Sequence, residues 1–282
     1  MKAVLFINPQ KKHAKKLKQE IKEEFSANKI DTDCFTISQK PLLCSKTKYS
    51  LAISLGGDGT VLFAARTMAA LGVPVFPVNL GTFGFIAGIK PSEWRETFAL
   101  WQKGKALLSR RLMLEVSVER GGREIFRCCC LNDAVISSSG ISKIINLQLS
   151  VGSIKLGTYR SDGIIVSTPT GSTAHSLAAG GPIVDPELET MIVNPICPFT
   201  LSQRPMVIPT NEALLIELER QKKISVCLTA DGQVTEKLKS GDRVFVKKAP
   251  YHCQLISSGR YVFYDALRKK LAHSGRGGEE AK

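Results

Sequence analysis

Apolar positions recur along this chain at two different spacings, and the change from one to the other divides it. Lys2–Ile7 is an apolar, β-rich run and predicts a first strand, closed by Asn8-Pro9. From about Lys12 to Ala27, the apolar residues Leu17, Ile21 and Phe25 fall four apart, the stripe of a half-buried helix. Asp33–Ile37 reads as a second strand, Leu51–Leu55 as a third, and Val61–Leu71 as a helix stopped by Gly72. Pro74–Val78 is another short strand. A β-α-β-α-β order implies a parallel sheet with ligands at the C-terminal ends of its strands. Ser92 then caps a predicted helix with Trp94, Phe98 and Trp101 on one side and Gly104 at its end.

After this helix the period drops to two. Leu112, Leu114, Val116 and Val118 alternate with other residues, and Gly121-Gly122 turns the chain into Glu124–Cys130. Ile145, Leu147, Leu149 and Val151 alternate again, and Gly163–Ser167, Ala213–Leu218, Ile224–Ala230 and Arg243–Lys247 predict further strands. Few helical stretches interrupt them, so a second, mostly antiparallel domain is expected from about Leu107 to about Ser257. Tyr261–Leu271 closes as a short amphipathic helix, and the Gly- and charge-rich tail Ser274–Lys282 is expected to be disordered.

Composition narrows the class. A length of 282 residues, 43% hydrophobic and 23% charged, describes a globular chain with ample core. The net charge of +14 suits nucleic acid, anionic lipid or small polyphosphates. The densest lysines, Lys11, Lys12, Lys15, Lys16 and Lys18, fall on the first predicted helix and read as a solvated face. No nucleic-acid motif accompanies them, so no nucleic-acid partner is expected. Eight cysteines occur without a C-x-x-C pair, and the consecutive Cys128, Cys129 and Cys130 point alternately to opposite faces of a strand. Metal-ligand spacing is absent, and reduced thiols of a cytoplasmic protein are expected. The apolar run at the N-terminus is too short for a signal peptide. Thr67–Ile89 carries no charge and is long enough for a bilayer, but Gly72, Pro74, Pro77, Gly81, Gly84 and Gly88 break it, so no membrane is expected.

Candidate chemistry gathers in two stretches. Gly56-Gly57-Asp58-Gly59-Thr60 joins the third strand to the next helix. Strand, glycine turn and helix is the layout in which backbone N–H groups meet a phosphate, and glycine lets the phosphate approach. Asp58 does not fit that picture alone, because a carboxylate repels phosphates unless it binds a metal or takes a proton from an attacking hydroxyl. The competing reading makes Asp58 a helix cap. A second glycine-rich loop, Asn79–Gly88, lies at another strand end, with Phe83 and Phe85 expected to pack inward. The other stretch, Arg160 to Pro182, contains Thr168-Pro169-Thr170-Gly171-Ser172-Thr173-Ala174. Its hydroxyls and the free N–H groups of a short helix over Ser172–Ala178 suit ribose or phosphate; a capped turn of small residues is the alternative.

Taken together these motifs resemble the NAD kinase family. Gly-Gly-Asp-Gly-Thr at 56–60, Asn79-Leu80-Gly81 with Gly84-Phe85, Asn132-Asp133, the Thr-Pro-Thr-Gly-Ser-Thr-Ala run with Gly180-Gly181-Pro182, and Leu201-Ser202 with Arg204-Pro205 occur in the family's order. The first motif is shared with diacylglycerol and sphingoid kinases; the long hydroxyl run is far more selective. The resemblance implies phosphoryl transfer from ATP, or polyphosphate, to the 2′-hydroxyl of the adenosine ribose of NAD, with a divalent metal, usually magnesium. It implies an N-terminal Rossmann-like α/β domain over 1–106, a C-terminal β-sandwich NAD-binding domain over 107–257, and a helix and tail over 258–282 that return to the first domain. A homodimer or homotetramer is the family's usual assembly.

The same resemblance implies residue roles. Asp58 matches the catalytic aspartate, and Gly56, Gly57, Gly59 and Thr60 match the phosphate loop, Gly59 also contacting NAD. Asn132 and Asp133 match a clamp on ribose hydroxyls. Thr173, Ala174, His175, Ser176, Leu177 and Ala178 match the stretch lining the NAD site, and Arg160 and Asp162 match two contacts before it. Lys143 is carried over by spacing from Asn132, and Gln233 matches a further dinucleotide contact. His175 stands where the family usually has tyrosine, and Phe199 where many members carry histidine. Metal ligands are not identified. Two other functions remain open from sequence: a kinase acting on a lipid or sugar, and a non-catalytic NAD(P) sensor.

Overall fold

The computed structural model describes residues 1–37, 47–81, 84–139, 143–220, 224–257 and 262–275, without the side chains of 262 and 271–275. The chain first lays down β1 (Lys2–Ile7), α1 (Ala14–Ala27), β2 (Asp31–Thr36), β3 (Leu51–Gly56), α2 (Asp58–Met68), β4 (Val75–Asn79), α3 (Trp94–Gln102) and β5 (Leu107–Arg111). Twelve strands follow: β6 (Leu114–Arg120), β7 (Arg123–Cys130), β8 (Asp133–Ser138), β9 (Ile145–Val151), β10 (Ile154–Ser161), β11 (Gly163–Ser167), β12 (Thr190–Ile196), β13 (Met206–Pro209), β14 (Leu214–Leu218), β15 (Val226–Ala230), β16 (Val234–Leu238) and β17 (Arg243–Lys248). Among the described residues a 3-10 turn (Thr170–Thr173) and one short α-helix, α4 (His175–Ala178), interrupt them, and β18 (Cys253–Ser257) and α5 (Val262–Gly275) close the described chain.

Two compact units result, one of 1–110 with 253–282 and one of 111–252. The first is α/β, with a sheet in the order β2-β1-β3-β4-β18-β5. β1 pairs in parallel with β2 and β3, and β3 with β4, as the alternating element order requires. β3 is buried along its whole length, which is why it reads as an unbroken apolar run. Leu17, Ile21 and Phe25 of α1 are buried, and Phe25 stacks on Phe98 of α3 with ring centroids 4.6 Å apart. Each side chain of that size taken out of water contributes roughly 1.5–3 kcal/mol.

The second unit is a β-sandwich. Its sheets run β10-β9-β14-β17-β6-β7 and β13-β12-β11-β8-β15-β16, and buried residues of both form one core cluster. Leu114, Val116 and Val118 of β6 are buried alternately, as the period of two predicts. The uncharged stretch Thr67–Ile89 resolves into the end of α2, a tight turn, β4 and a loop, and no helix among the described residues is long and apolar enough to cross a membrane.

Four expectations need adjustment. The second domain does not run to Ser257, because β18 hydrogen-bonds inside the first sheet and Leu255 pairs with Val75 of β4. Glu93, not Ser92, is the residue that precedes α3. α1 begins at Ala14, so Lys11 and Lys12 lie in the turn before it. The predicted helix over Ser172–Ala178 is broken at Ala174, where ψ is −123°. Phe83 and most of the tail beyond Ser274 lie outside the described residues.

Candidate active site

Asp58 opens α2 immediately after the extended Gly57. A carboxylate in a first turn is favoured by the helix dipole, but this one makes no cap of its own helix. It reaches instead to the segment after β4. Its Oδ2 accepts from the Phe85 N–H at 3.0 Å, and its Oδ1 from Ala87 at 2.9 Å and Ile86 at 3.3 Å. Charge-assisted bonds from three amides fix both the position and the plane of the carboxylate. Among the described residues they occupy three of its roughly four lone-pair sites, and the remaining one is on Oδ2.

The segment that supplies these amides is itself pinned. Asn79, at the end of β4, donates from Nδ2 to the Ala87 carbonyl at 3.1 Å and accepts the Gly81 N–H on Oδ1 at 2.9 Å. The Leu80 N–H donates to the Gly56 carbonyl at 2.7 Å. Gly84 lies against the carboxylate so closely that a Cβ there would stand 2.0 Å from Asp58 Oδ1. The second glycine loop is therefore a clip for Asp58, a role its sequence alone did not suggest. Lys11, which the sequence places with the lysines of a solvated helical face, also lies at this loop. Its Nζ stands 3.1 Å from where a Cβ of Gly81 would be, placing a cation at the C-terminal end of the sheet. Gly59 is exposed and Thr60 buried, its hydroxyl without a partner.

In the second unit, Asn132 and Asp133 enter β8 over the carboxylate of Asp231. Asp231 Oδ1 accepts from the Asn132 N–H at 2.7 Å and from Asp133 at 3.3 Å, and Oδ2 from Leu131 at 3.1 Å. Asp231 has φ +50° just after β15, a conformation Asp tolerates; in sequence it is only half of an Asp-Gly turn. Asp133 is 4% exposed, and burial, followed by the charge of Asp231, pushes its carboxyl up to about 7. Asn132 Oδ1 is buried with no hydrogen-bond partner, and so is the Thr170 hydroxyl. Buried polar atoms left unpaired in this way are open to a ligand.

The hydroxyl-rich run wraps this corner. Thr168 Oγ1 donates to the Leu131 carbonyl at 2.6 Å and accepts the Gly171 N–H at 3.0 Å, while the Thr168 N–H donates to the Asn132 carbonyl at 2.8 Å. A Cβ on Gly171 would stand 2.1 Å from the Asn132 carbonyl oxygen, so only glycine fits there. Ser172 Oγ bridges the Val184 backbone, and the Thr173 hydroxyl donates to the Thr170 carbonyl. The hydroxyls of Thr168, Ser172 and Thr173 hold the backbone of the run itself, and Thr170 alone among the four leaves its hydroxyl unpaired.

The predicted residues of this unit fall at two places. Asp133 pairs with Ser167, and Ala134 with Ala230, so Asn132, Asp133, Thr168–Thr173 and Asp231–Gln233 share one end of the β11-β8-β15 sheet. His175 and Ala178 are exposed on α4, Ala174 and Leu177 half-buried, and Ser176 buried. The Asn194 amide donates to the Ser176 carbonyl at 2.9 Å and holds α4 to β12. Asp162 and Arg160 lie at the opposite end of β11, roughly 16 Å away for a five-residue strand. Lys143 is exposed near them, ahead of the Ile145–Ser161 pair. The Arg160 guanidinium sits 4.6 Å from the centroid of Phe199. Within one chain these three are not brought to Asn132 and Asp133. Among the described residues no cluster of three or more His, Cys, Asp or Glu side chains is arranged for a metal ion.

Comparison with known proteins joins both units to one family. Residues 1–106 match the ATP-NAD kinase N-terminal domain and 131–258 the ATP-NAD kinase C-terminal domain. The NAD kinase of Treponema denticola is 43% identical over 277 residues, spanning 97% of this chain and 97% of that protein. The NAD kinase of Geobacter sulfurreducens is 43% identical over 221 residues, 78% of each chain. Among solved structures, yeast NADH kinase complexed with NADH superposes with a TM-score of 0.86 at 21% identity, covering 99% of this chain and 90% of that one. An NAD kinase from Archaeoglobus fulgidus in complex with ATP gives 0.74 at 23% identity, covering 95% and 98%. With both domain families matched in order and close relatives aligned nearly end to end, the chain belongs to the NAD kinase family.

Proposed function

We propose that the protein transfers the γ-phosphoryl group of ATP to the 2′-hydroxyl of the adenosine ribose of NAD, forming NADP and ADP. The observation that carries this reading is Asp58: a carboxylate clamped by three amides, with one lone-pair site left on Oδ2. A secondary hydroxyl is a weak nucleophile near pH 7. As its oxygen bonds to the γ-phosphorus and the bond to the ADP oxygen breaks, Asp58 Oδ2 accepts the hydroxyl proton. Most of the acceleration in phosphoryl transfer comes from positioning and charge neutralisation, which suits a base that cannot swing.

Asn132 and Asp133 are the proposed ribose clamp. An unpaired amide oxygen accepts from one hydroxyl, and a carboxyl titrating near 7 donates or accepts at the other. Gly56, Gly57, Gly59 and Thr60 are proposed to receive the donor phosphates, with Lys11 as the adjacent cation. Thr173 to Ala178 and Gln233 are proposed to line the dinucleotide site, and Lys143, Arg160 and Asp162 to make further contacts with it. The described side chains do not form a metal cage, and magnesium needs none when it travels on substrate phosphates with most of its water retained. It would neutralise phosphate charge there. The protein is proposed to act in the cytoplasm as a homodimer or homotetramer, which sedimentation of the purified enzyme tests.

The decisive assay incubates purified protein with NAD, ATP and magnesium and measures NADP. Folded protein that forms no NADP overturns the proposal, and NADP binding without turnover points to a sensor. Polyphosphate as donor, and NADH, lipid and sugar as acceptors, complete the panel.

A further inference from the structure

Phe85 gives Asp58 Oδ2 its amide hydrogen bond, and its side chain is held by the helix that ends the described chain. Phe263 lies with its ring centroid 6.3 Å from that of Phe85, tilted 47°, and Lys270 Nζ lies 4.2 Å from the Phe85 centroid. Phe263, Ala266 and Lys270 are spaced i, i+3, i+7 and therefore share one side of α5. Phe263 and Ala266 are buried, whereas Lys270 is exposed, with its ammonium turned over an aromatic ring. Phe263 also meets Tyr264 edge-on at 5.3 Å. The oxygen that Phe85 serves is the one with a lone pair left for substrate.

We propose that α5 is a positioning element for catalysis: Phe263 and Lys270 hold Phe85, and Phe85 through its backbone N–H aims Asp58 Oδ2. This rests on the reading of Asp58 as the proton acceptor. A ring held by one aromatic and one cation cannot swing about χ1 without losing both contacts, which restrains the backbone that carries it in the orientation that meets the carboxylate. Asn79 pins the ends of the clip; α5 pins its middle. The residues that fix the base thus come from β4, from the loop after it and from a helix nearly two hundred residues later.

The test uses the full chain with Phe263→Ala, Lys270→Met and the conservative Phe263→Leu and Lys270→Arg. Three readouts are taken on each: amide exchange in the peptide spanning 85–87, melting temperature, and kcat with KM for NAD and ATP. Lys270→Met keeps the apolar stem of an exposed residue, so its melting temperature is expected to match that of the parent. Loss of a cation–π contact at such a site is expected to lower kcat roughly two- to fivefold. Phe263→Ala is expected to lower it about tenfold or more, as misplaced catalytic groups do. Exchange at 85–87 accelerates in both, both KM values stay within about twofold, and the conservative variants recover most of kcat. Unchanged exchange, unchanged kcat, or a kcat loss matched by lost folded protein overturns the proposal. A parent enzyme that forms no NADP defeats the reading of Asp58 instead, and exchange still decides whether α5 holds the loop.

Discussion

Asp58 and Asp231 are held by the same device, three backbone N–H groups converging on one carboxylate, two on Oδ1 and one on Oδ2. Replacing Asp58 with Asn keeps the shape but removes the proposed proton acceptor and turns an NH2 group toward donors. kcat is expected to fall by about 10²–10⁴, with NAD affinity by calorimetry changing little. Gly84→Ala attacks the same carboxylate by bulk. A Cβ 2.0 Å from Oδ1 must displace the carboxylate, so turnover falls although no chemical group is lost. The overpacking costs about 1–3 kcal/mol, which a denaturant midpoint detects.

Asp133 gives a pH signature with a definite sign. Its carboxyl titrates at about 7 in the folded protein against an ordinary 3.8. Between those values the folded state binds the proton and the unfolded state releases it, so this group lowers stability as pH rises from about 4 to 7. Asp133→Asn is expected to gain in melting temperature relative to the parent across that window and to hold a constant advantage above it. Melting curves of the ligand-free pair from pH 4 to 8 check this, and a flat difference refutes the assignment.

At the scale of elements, the clip after β4 and the strap around Asn132 do similar work by different means. Asn79 ties a loop to itself, whereas Asp231 ties the entry of β8 to the turn after β15. Asp231→Ala leaves three amides without their acceptor, at about 1–3 kcal/mol for each that stays buried and unpaired. It is expected to raise the KM for NAD more than it lowers kcat, because it disturbs the proposed clamp and not the proposed base; steady-state kinetics separate the two.

This is also the scale at which the chain was most and least readable. α1 and β6 declare themselves, because a helix or a strand with one wet face must alternate apolar and polar residues at its own period. β10 does not, since Ile154, Lys155 and Leu156 are all exposed and no contrast marks the strand. The sequence does not set β18 apart from the second domain, because its membership of the first sheet depends on partners far away in sequence. The chemical motifs were legible as motifs. The direction of their side chains was not: the hydroxyl run looks equally suited to a ligand or to its own backbone, and only the packing of Gly171 on Asn132 decides. Asp231 was overlooked because Asp-Gly is so ordinary a turn.

For the whole molecule, an excess of +14 is large for substrates that are polyphosphate anions. Charge of that size draws anions in from beyond contact distance, and salt screens it over roughly 8–10 Å. kcat/KM for ATP and NAD is therefore expected to fall as sodium chloride rises from about 0.05 to 0.5 M, with kcat nearly constant. Constant kcat/KM over that range would mean that the surplus charge serves something else.

β18 lies between β4 and β5, yet 141 residues separate it from the end of β5. On the ribosome, then, the sheet that carries Asp58 waits without the strand between β4 and its edge strand β5 while the whole sandwich is made. Until residue 257 emerges, the first half of β4, around Val75, offers an unpaired edge to whatever strand comes near, while Ile89 bridges its second half at Val78. A product terminated after the sandwich is expected to precipitate, and a synthetic peptide supplying β18 and α5 to rescue it. Birth order, and not only final shape, makes the enzyme's first half hostage to its end.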